Sequence, residues 1–125
     1  EQSEETHNER LEREEIARRQ REEEERKEKI RNAKKKEVQK IKELINCAED
    51  YKIACEIRSY IGAISKKENL TDEIKKWINW ANKKANWFDP TIDEEDELLG
   101  KREHAESMDN KNNKLDKYGS YYDWY

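Results

Sequence analysis

Catalysis near neutral pH usually draws on histidine, cysteine or convergent carboxylates, and this sequence offers two histidines, two cysteines and one dense acidic run. His7 lies in a charged N-terminal stretch and His104 in a polar C-terminal one, and neither has a catalytic partner by spacing. Both read as solvated side chains, so no enzyme active site is expected. Cys47 and Cys55 fall in one helical stretch, where a rise of about 1.5 Å per residue separates them by about 12 Å. That is too far for a disulfide within a straight helix, and no C-x-x-C or paired-histidine spacing supplies a metal site. With no secretion signal, they read as reduced, partly buried thiols of a cytoplasmic protein. The run Asp93 to Glu97 reads as solvated charge, because Asp109 to Lys114 lacks the glycine and alternating oxygens of an EF-hand loop. No cofactor and no metal is expected.

The remaining chemistry is that of binding. Lys27, Lys29, Arg31, Lys34, Lys35, Lys36, Lys40 and Lys42 are interrupted by the acids Glu28 and Glu37 and would wrap a helix in positive potential over residues 27–42. Lys34, Lys35, Lys36 and Lys40 are the candidate phosphate contacts of a nucleic-acid-binding accessory domain, although no nucleic-acid motif accompanies them. Trp80 and Trp87 border the apolar stripe of a helix and are the candidate anchors for a protein partner, since tryptophan is common at the energetic centre of interfaces. Trp77 sits on the stripe itself and is expected to fill a core with Ile57, Tyr60 and Ile61. Arg58, beside Tyr60, is expected to pair with Asp89.

The elements that position these residues are helical. Of 125 residues, 46% are charged and 32% hydrophobic, enough apolar material for one small domain at most. Only 3 Gly and 1 Pro argue against a fold with many tight turns. The fold expected is all-α: a long charged N-terminal helix leading into a small helical hairpin or three-helix domain, then an irregular C-terminal tail. The boundaries read as a charged arm over 1–36, a helical domain over 37–90 and an acidic, aromatic-ended tail over 91–125. Residues 1–36 carry 12 acidic and 12 basic side chains, residues 37–90 carry 9 and 10, and residues 91–125 carry 10 and 5. No apolar run approaches the roughly 20 residues needed to cross a bilayer, so no membrane partner is expected. Starting at Glu1 rather than Met, the chain reads as a fragment of a longer protein or a processed product.

From Asn8 to Lys36 the residues are almost all Glu, Arg and Lys, which lose little rotamer freedom in a helix. Glu9–Arg13, Glu14–Arg18, Glu15–Arg19, Glu22–Arg26, Glu23–Lys27 and Glu25–Lys29 stand at i,i+4 in the favoured direction, each worth ~0.2–0.5 kcal/mol. A coiled-coil seam would have only Leu11, Ile16, Ala17, Ile30 and Ala33 to draw on, so a single solvated helix is preferred, with a weak coiled coil and then disorder as the alternatives. Val38, Ile41, Leu44, Ile45 and Ala48 then mark an amphipathic face, as do Ile53, Ala54, Ile57, Tyr60, Ile61 and Ile64. The pair Glu49-Asp50 between the two sets offers a break or a helix start, so one continuous helix and two helices are both open readings here. A turn is expected over Lys66 to Thr71, with Asn69 or Thr71 capping the next helix. Ile74, Trp77, Ile78, Ala81, Ala85 and Phe88 form its stripe, and Asp89-Pro90 ends it. A short helix is expected somewhere over Glu94 to Ser107. Tyr118, Tyr121, Tyr122, Trp124 and Tyr125 load the terminus with rings that either fold back or dock elsewhere.

The stretch AEDYKIACEIRSYI from Ala48 to Ile61, then WINWANKKA from Trp77 to Ala85 and Asp89-Pro90, resembles a recurring C-terminal region of uncharacterised bacterial proteins. There an Arg/Glu-rich helix precedes an aromatic residue, an Ile-Arg-x-Tyr-Ile segment and a Trp-x-x-Trp-Ala helix ending in Asp-Pro. The likeness covers residues 10–90 and implies a helical, bacterial protein, with no activity attached. This chain departs from it in having Tyr51 where Trp is commoner, and Asn86-Trp87 where Asp follows Ala85. The function expected is therefore a non-catalytic interaction or spacer module that contacts a protein partner or another copy of itself. A core of roughly 50 residues is marginal by size, which favours self-association.

Overall fold

The computed structural model describes residues 2–120 and contains three helices: α1 (Gln2–Ser65), α2 (Asp72–Phe88) and α3 (Met108–Tyr118). The chain divides into two units, Glu1–Gln39 and Lys40–Tyr125. No helix among the described residues is long and apolar enough to cross a membrane.

The first unit is helical throughout its described residues, and nearly every side chain from Thr6 onward is exposed. Its support is local. Arg19 donates to Glu15 at 2.9 Å across one turn, as the i,i+4 pattern anticipates. The other pairs mostly use the i,i+3 spacing instead: Arg18–Glu15 at 3.6 Å, Lys27–Glu24 at 3.9 Å and Arg31–Glu28 at 2.8 Å. Three residues and four residues are almost equally close on a helix surface, so side-chain reach decides between them.

In the second unit, α1 continues without interruption to Ser65, so of the two readings left open at Glu49-Asp50 the chain takes the single helix. Asp50 lies inside the helix and is fully buried, occupied by tertiary partners rather than by a cap. Ile41, Leu44, Ile45 and Ala48, expected to open the core, are exposed. The buried face begins one turn later, with Asp50, Ala54 and Ile61, and the buried residues of α2 are Ala81, Ala85 and Trp87. Asn69 takes the left-handed conformation (φ 63°), which asparagine tolerates better than most residues. Thr71 is the cap, its hydroxyl accepting from the Ile74 amide at 3.2 Å, with Asp72 and Glu73 at the positive end of the dipole.

No helix forms over Glu94 to Ser107, where one was expected; α3 follows that stretch. Ser107 caps it by accepting from the Asn110 amide at 3.2 Å. Residues 91–107 are an ordered, largely non-helical connection belonging to the second unit, so the separate tail expected from position 91 is corrected: the connection and α3 complete the domain. Tyr118 ends α3, and the aromatic run Tyr121 to Tyr125 lies outside the described residues.

Candidate interaction surface

Asp50 sits on the α1 face that also carries Ala54, Ile57 and Ile61, where a carboxylate is costly to bury without partners. The connection and α3 supply them. Arg102 grips the carboxylate with two bonds, Nε to Oδ2 at 2.9 Å and Nη2 to Oδ1 at 3.0 Å. Lys111 Nζ lies 2.9 Å from Oδ1 and also donates to the carbonyls of Asn46 (3.1 Å) and His104 (2.9 Å). His104 Nδ1 is 2.7 Å from Asp50 Oδ2, and its Nε2 is 3.3 Å from Asp93 Oδ1. The Arg102 guanidinium also lies 4.5 Å from the Phe88 ring centre and 5.2 Å from that of Trp87. Burial pushes the Asp50 carboxyl up, but hydrogen bonds from Arg102, Lys111 and His104 outweigh it and hold the group below the usual carboxylate range.

A second buried carboxylate fixes the exit of α2. Asp89 receives Arg58 Nη1 at 2.7 Å, the Thr91 amide at 2.8 Å and the Thr91 hydroxyl at 2.7 Å. Arg58 Nη2 reaches Asn86 Oδ1 at 3.2 Å, so the expected Arg58–Asp89 pair is present and carries an additional bond. Burial raises the Asp89 carboxyl, and the bonds from Thr91 and Arg58 bring it below its ordinary value.

These anchors shape a short loop tip. Asp96 accepts from the amides of Leu98 (2.9 Å) and Leu99 (3.0 Å) and pairs with Lys84 of α2. The Asp96 and Gly100 backbones exchange two hydrogen bonds, each 2.9 Å, and Gly100 sits at φ 72°, a conformation that strains any residue with a Cβ. Trp87 Nε1 donates to the Gly100 carbonyl at 2.8 Å, tying the tip to the end of α2. Leu98, at the apex, is 91% exposed.

Between this tip and α2 runs a groove of about 430 Å³. Lys76, Trp80 and Lys83 line its α2 wall at i, i+4 and i+7, while Glu94, Glu95, Glu97 and Leu98 line the loop wall. The Lys84–Asp96 pair joins the two walls, and Lys84 Nζ lies 5.6 Å from the Trp80 ring centre. Beyond the groove the rings continue. Trp80 is 6.4 Å from Trp77, which meets Tyr60 edge-on at 5.8 Å. Trp80 is 54% exposed and Tyr60 61%, so this cluster is a surface rather than a core.

The expected site residues fare differently. Trp80 lies on the surface as anticipated. Trp87 is corrected: it is 4% exposed, covered by the connection and by Arg102, and inaccessible to a partner. Trp77 and Tyr60, expected to fill the core, are exposed rings that pack edge-on against each other, while the buried positions of α2 are Ala81, Ala85 and Trp87. His104 is corrected from a solvated to a buried side chain. Asp96 is likewise no solvated acid: burial raises its carboxyl, but Lys84 and the two amides hold it low. Lys34, Lys35 and Lys36 in the first unit and Lys40 in the second are each exposed. Both cysteines are free thiols, Cys47 half-buried and Cys55 exposed. No group of three or more His, Cys, Asp or Glu side chains with metal-holding geometry occurs among the described residues.

Sequence reasoning missed Leu98 and the Asp50 network. Signals for both were present: two leucines before a glycine in a charged run, and an aspartate in register with Ala54, Ile57 and Ile61. No family model matches this sequence, and no curated protein and no solved structure matches it either.

Proposed function

We propose that the chain is a non-catalytic interaction module, in which residues 8–36 act as a spacer and the second unit contacts a protein through Tyr60, Trp77, Trp80 and Leu98. The observation that carries this reading is Leu98, 91% exposed at the apex of a turn closed by its own hydrogen bonds and facing an exposed tryptophan across a groove. Burying such a leucine is worth ~1.5–3 kcal/mol, and a surface already held in shape loses little entropy on binding. Tryptophan beside a preformed apolar knob is the composition of an interface centre. A cytoplasmic setting suits the two free thiols.

Oxidative footprinting of the full chain tests the surface. In any complex, Trp80, Tyr60 and Leu98 should be protected, while labelling across residues 8–36 stays unchanged. Protection of the arm with the aromatic surface still fully labelled would refute the proposal. A second reading, non-specific phosphate binding, draws on the exposure of Lys34, Lys35, Lys36 and Lys40, which join none of the ion pairs seen among the described residues. Salt-sensitive DNA or RNA binding lost in Lys34→Glu, Lys35→Glu, Lys36→Glu would support it, and no binding at low salt would end it.

A further inference from the structure

We infer that the occupant of the groove beside Trp80 is a second copy of this chain, seated about a two-fold axis that runs along the groove; the inference rests on the contact-surface reading above. The groove has walls of opposite charge. Its α2 wall carries Lys76 and Lys83, and its loop wall carries Glu94, Glu95 and Glu97. None of these five joins an ion pair seen among the described residues, whereas Lys84 and Asp96 neutralise each other at the junction of the walls. Each wall also bears one exposed apolar side chain, Trp80 on the basic side and Leu98 on the acidic side.

A surface divided in this way complements itself. Rotation by half a turn about an axis lying in the surface and parallel to the groove exchanges left and right. The basic wall of one copy then faces the acidic wall of the other, and Leu98 of each faces Trp80 of its partner. An isologous interface requires this self-complementarity, and charge of both signs across an apolar centre selects the register. A nucleic acid would meet three glutamates beside the lysines, and a uniformly charged protein would be attracted by one wall and repelled by the other. A second copy satisfies both walls at once, and the same rotation leaves the two α2 helices parallel.

The test uses the full chain in two double variants, followed by sedimentation velocity. Lys76→Glu with Lys83→Glu makes both walls acidic, and Glu94→Lys with Glu95→Lys makes both basic. Each variant alone should associate at least about tenfold more weakly than the wild type, and an equimolar mixture of the two should restore the dimer. Leu98→Ala should weaken the wild-type dimer without changing the charge. An unchanged circular dichroism spectrum and thermal midpoint would confirm that the variants fold. Self-association of either double variant at wild-type strength would overturn the inference, as would a mixture that stays monomeric while the wild type dimerises. A wild type that is monomeric at every concentration would also overturn it. The contact-surface reading then stands or falls separately, on whether footprinting with any other bound protein protects Trp80.

Discussion

Replacing Asp50 with alanine removes the carboxylate on which Arg102, Lys111 and His104 converge, and leaves their polar groups buried without their shared acceptor. Removing one partner of a buried ion pair typically costs ~3–5 kcal/mol, because the charge left behind stays desolvated. A folded unit of this size has a total stability of order 5–10 kcal/mol, so Asp50→Ala should remove a third or more of it. The assay is urea unfolding of the full chain followed by tryptophan fluorescence. Residues 1–39 contain no tryptophan, and buried Trp87 lies against Arg102, so the signal reports the second unit. The midpoint should fall sharply with little change in slope. Replacing Asp50, Arg102 and His104 together by Leu, Met and Leu while keeping Lys111 on the Asn46 and residue-104 carbonyls should recover part of the loss, since well-packed apolar side chains often substitute for buried ionic groups. A loss below about 1 kcal/mol for Asp50→Ala would show that the network does not hold the connection and α3 in place.

The carboxyls of Asp50, Asp89 and Asp96 all lie below their ordinary value in the fold. The folded state therefore binds fewer protons than the unfolded one. Stability should be complete above the unfolded aspartate value of about 3.9 and be lost as pH falls through the depressed folded values, read as urea midpoints at descending pH. Trp87→Phe deletes the donor to the Gly100 carbonyl and should cost ~1–3 kcal/mol, whereas Trp80→Phe on the exposed surface should leave the unfolding midpoint nearly unchanged. A peptide of residues 8–36 should be helical at low ionic strength and lose helix content by circular dichroism near 1 M salt, where the screening length is about 3 Å.

The helices were legible because composition and periodicity act locally. The Glu/Arg/Lys stretch, the Thr71 cap with Asp72 and Glu73, and the stop at Asp89-Pro90 need no tertiary information to be read. Reading failed where a polar residue is stabilised by a distant one. Asp50 resembles a helix start until Arg102 and His104, more than fifty residues later, explain its burial. His104 looks solvated for the same reason. Trp87 and Trp77 exchanged roles because the stripe rule ranks residues by helix face alone. The 91–107 connection covers the end of α2 and leaves its middle bare, and nothing local to α2 encodes that cover. The exposure of Leu98 follows from the Asp96 turn and the φ of Gly100, which a sequence pattern marks only as two leucines before a glycine.

Light scattering of the full chain over a concentration series, with Trp80→Ala measured beside it, tests the interaction surface most directly. The mass of the wild type should rise from the 15.2 kDa of one chain toward twice that value, while Trp80→Ala should stay at one chain over the same range. A wild type that remains at one chain throughout, or a Trp80→Ala variant that associates just as strongly, would contradict the role assigned to the aromatic surface in self-association.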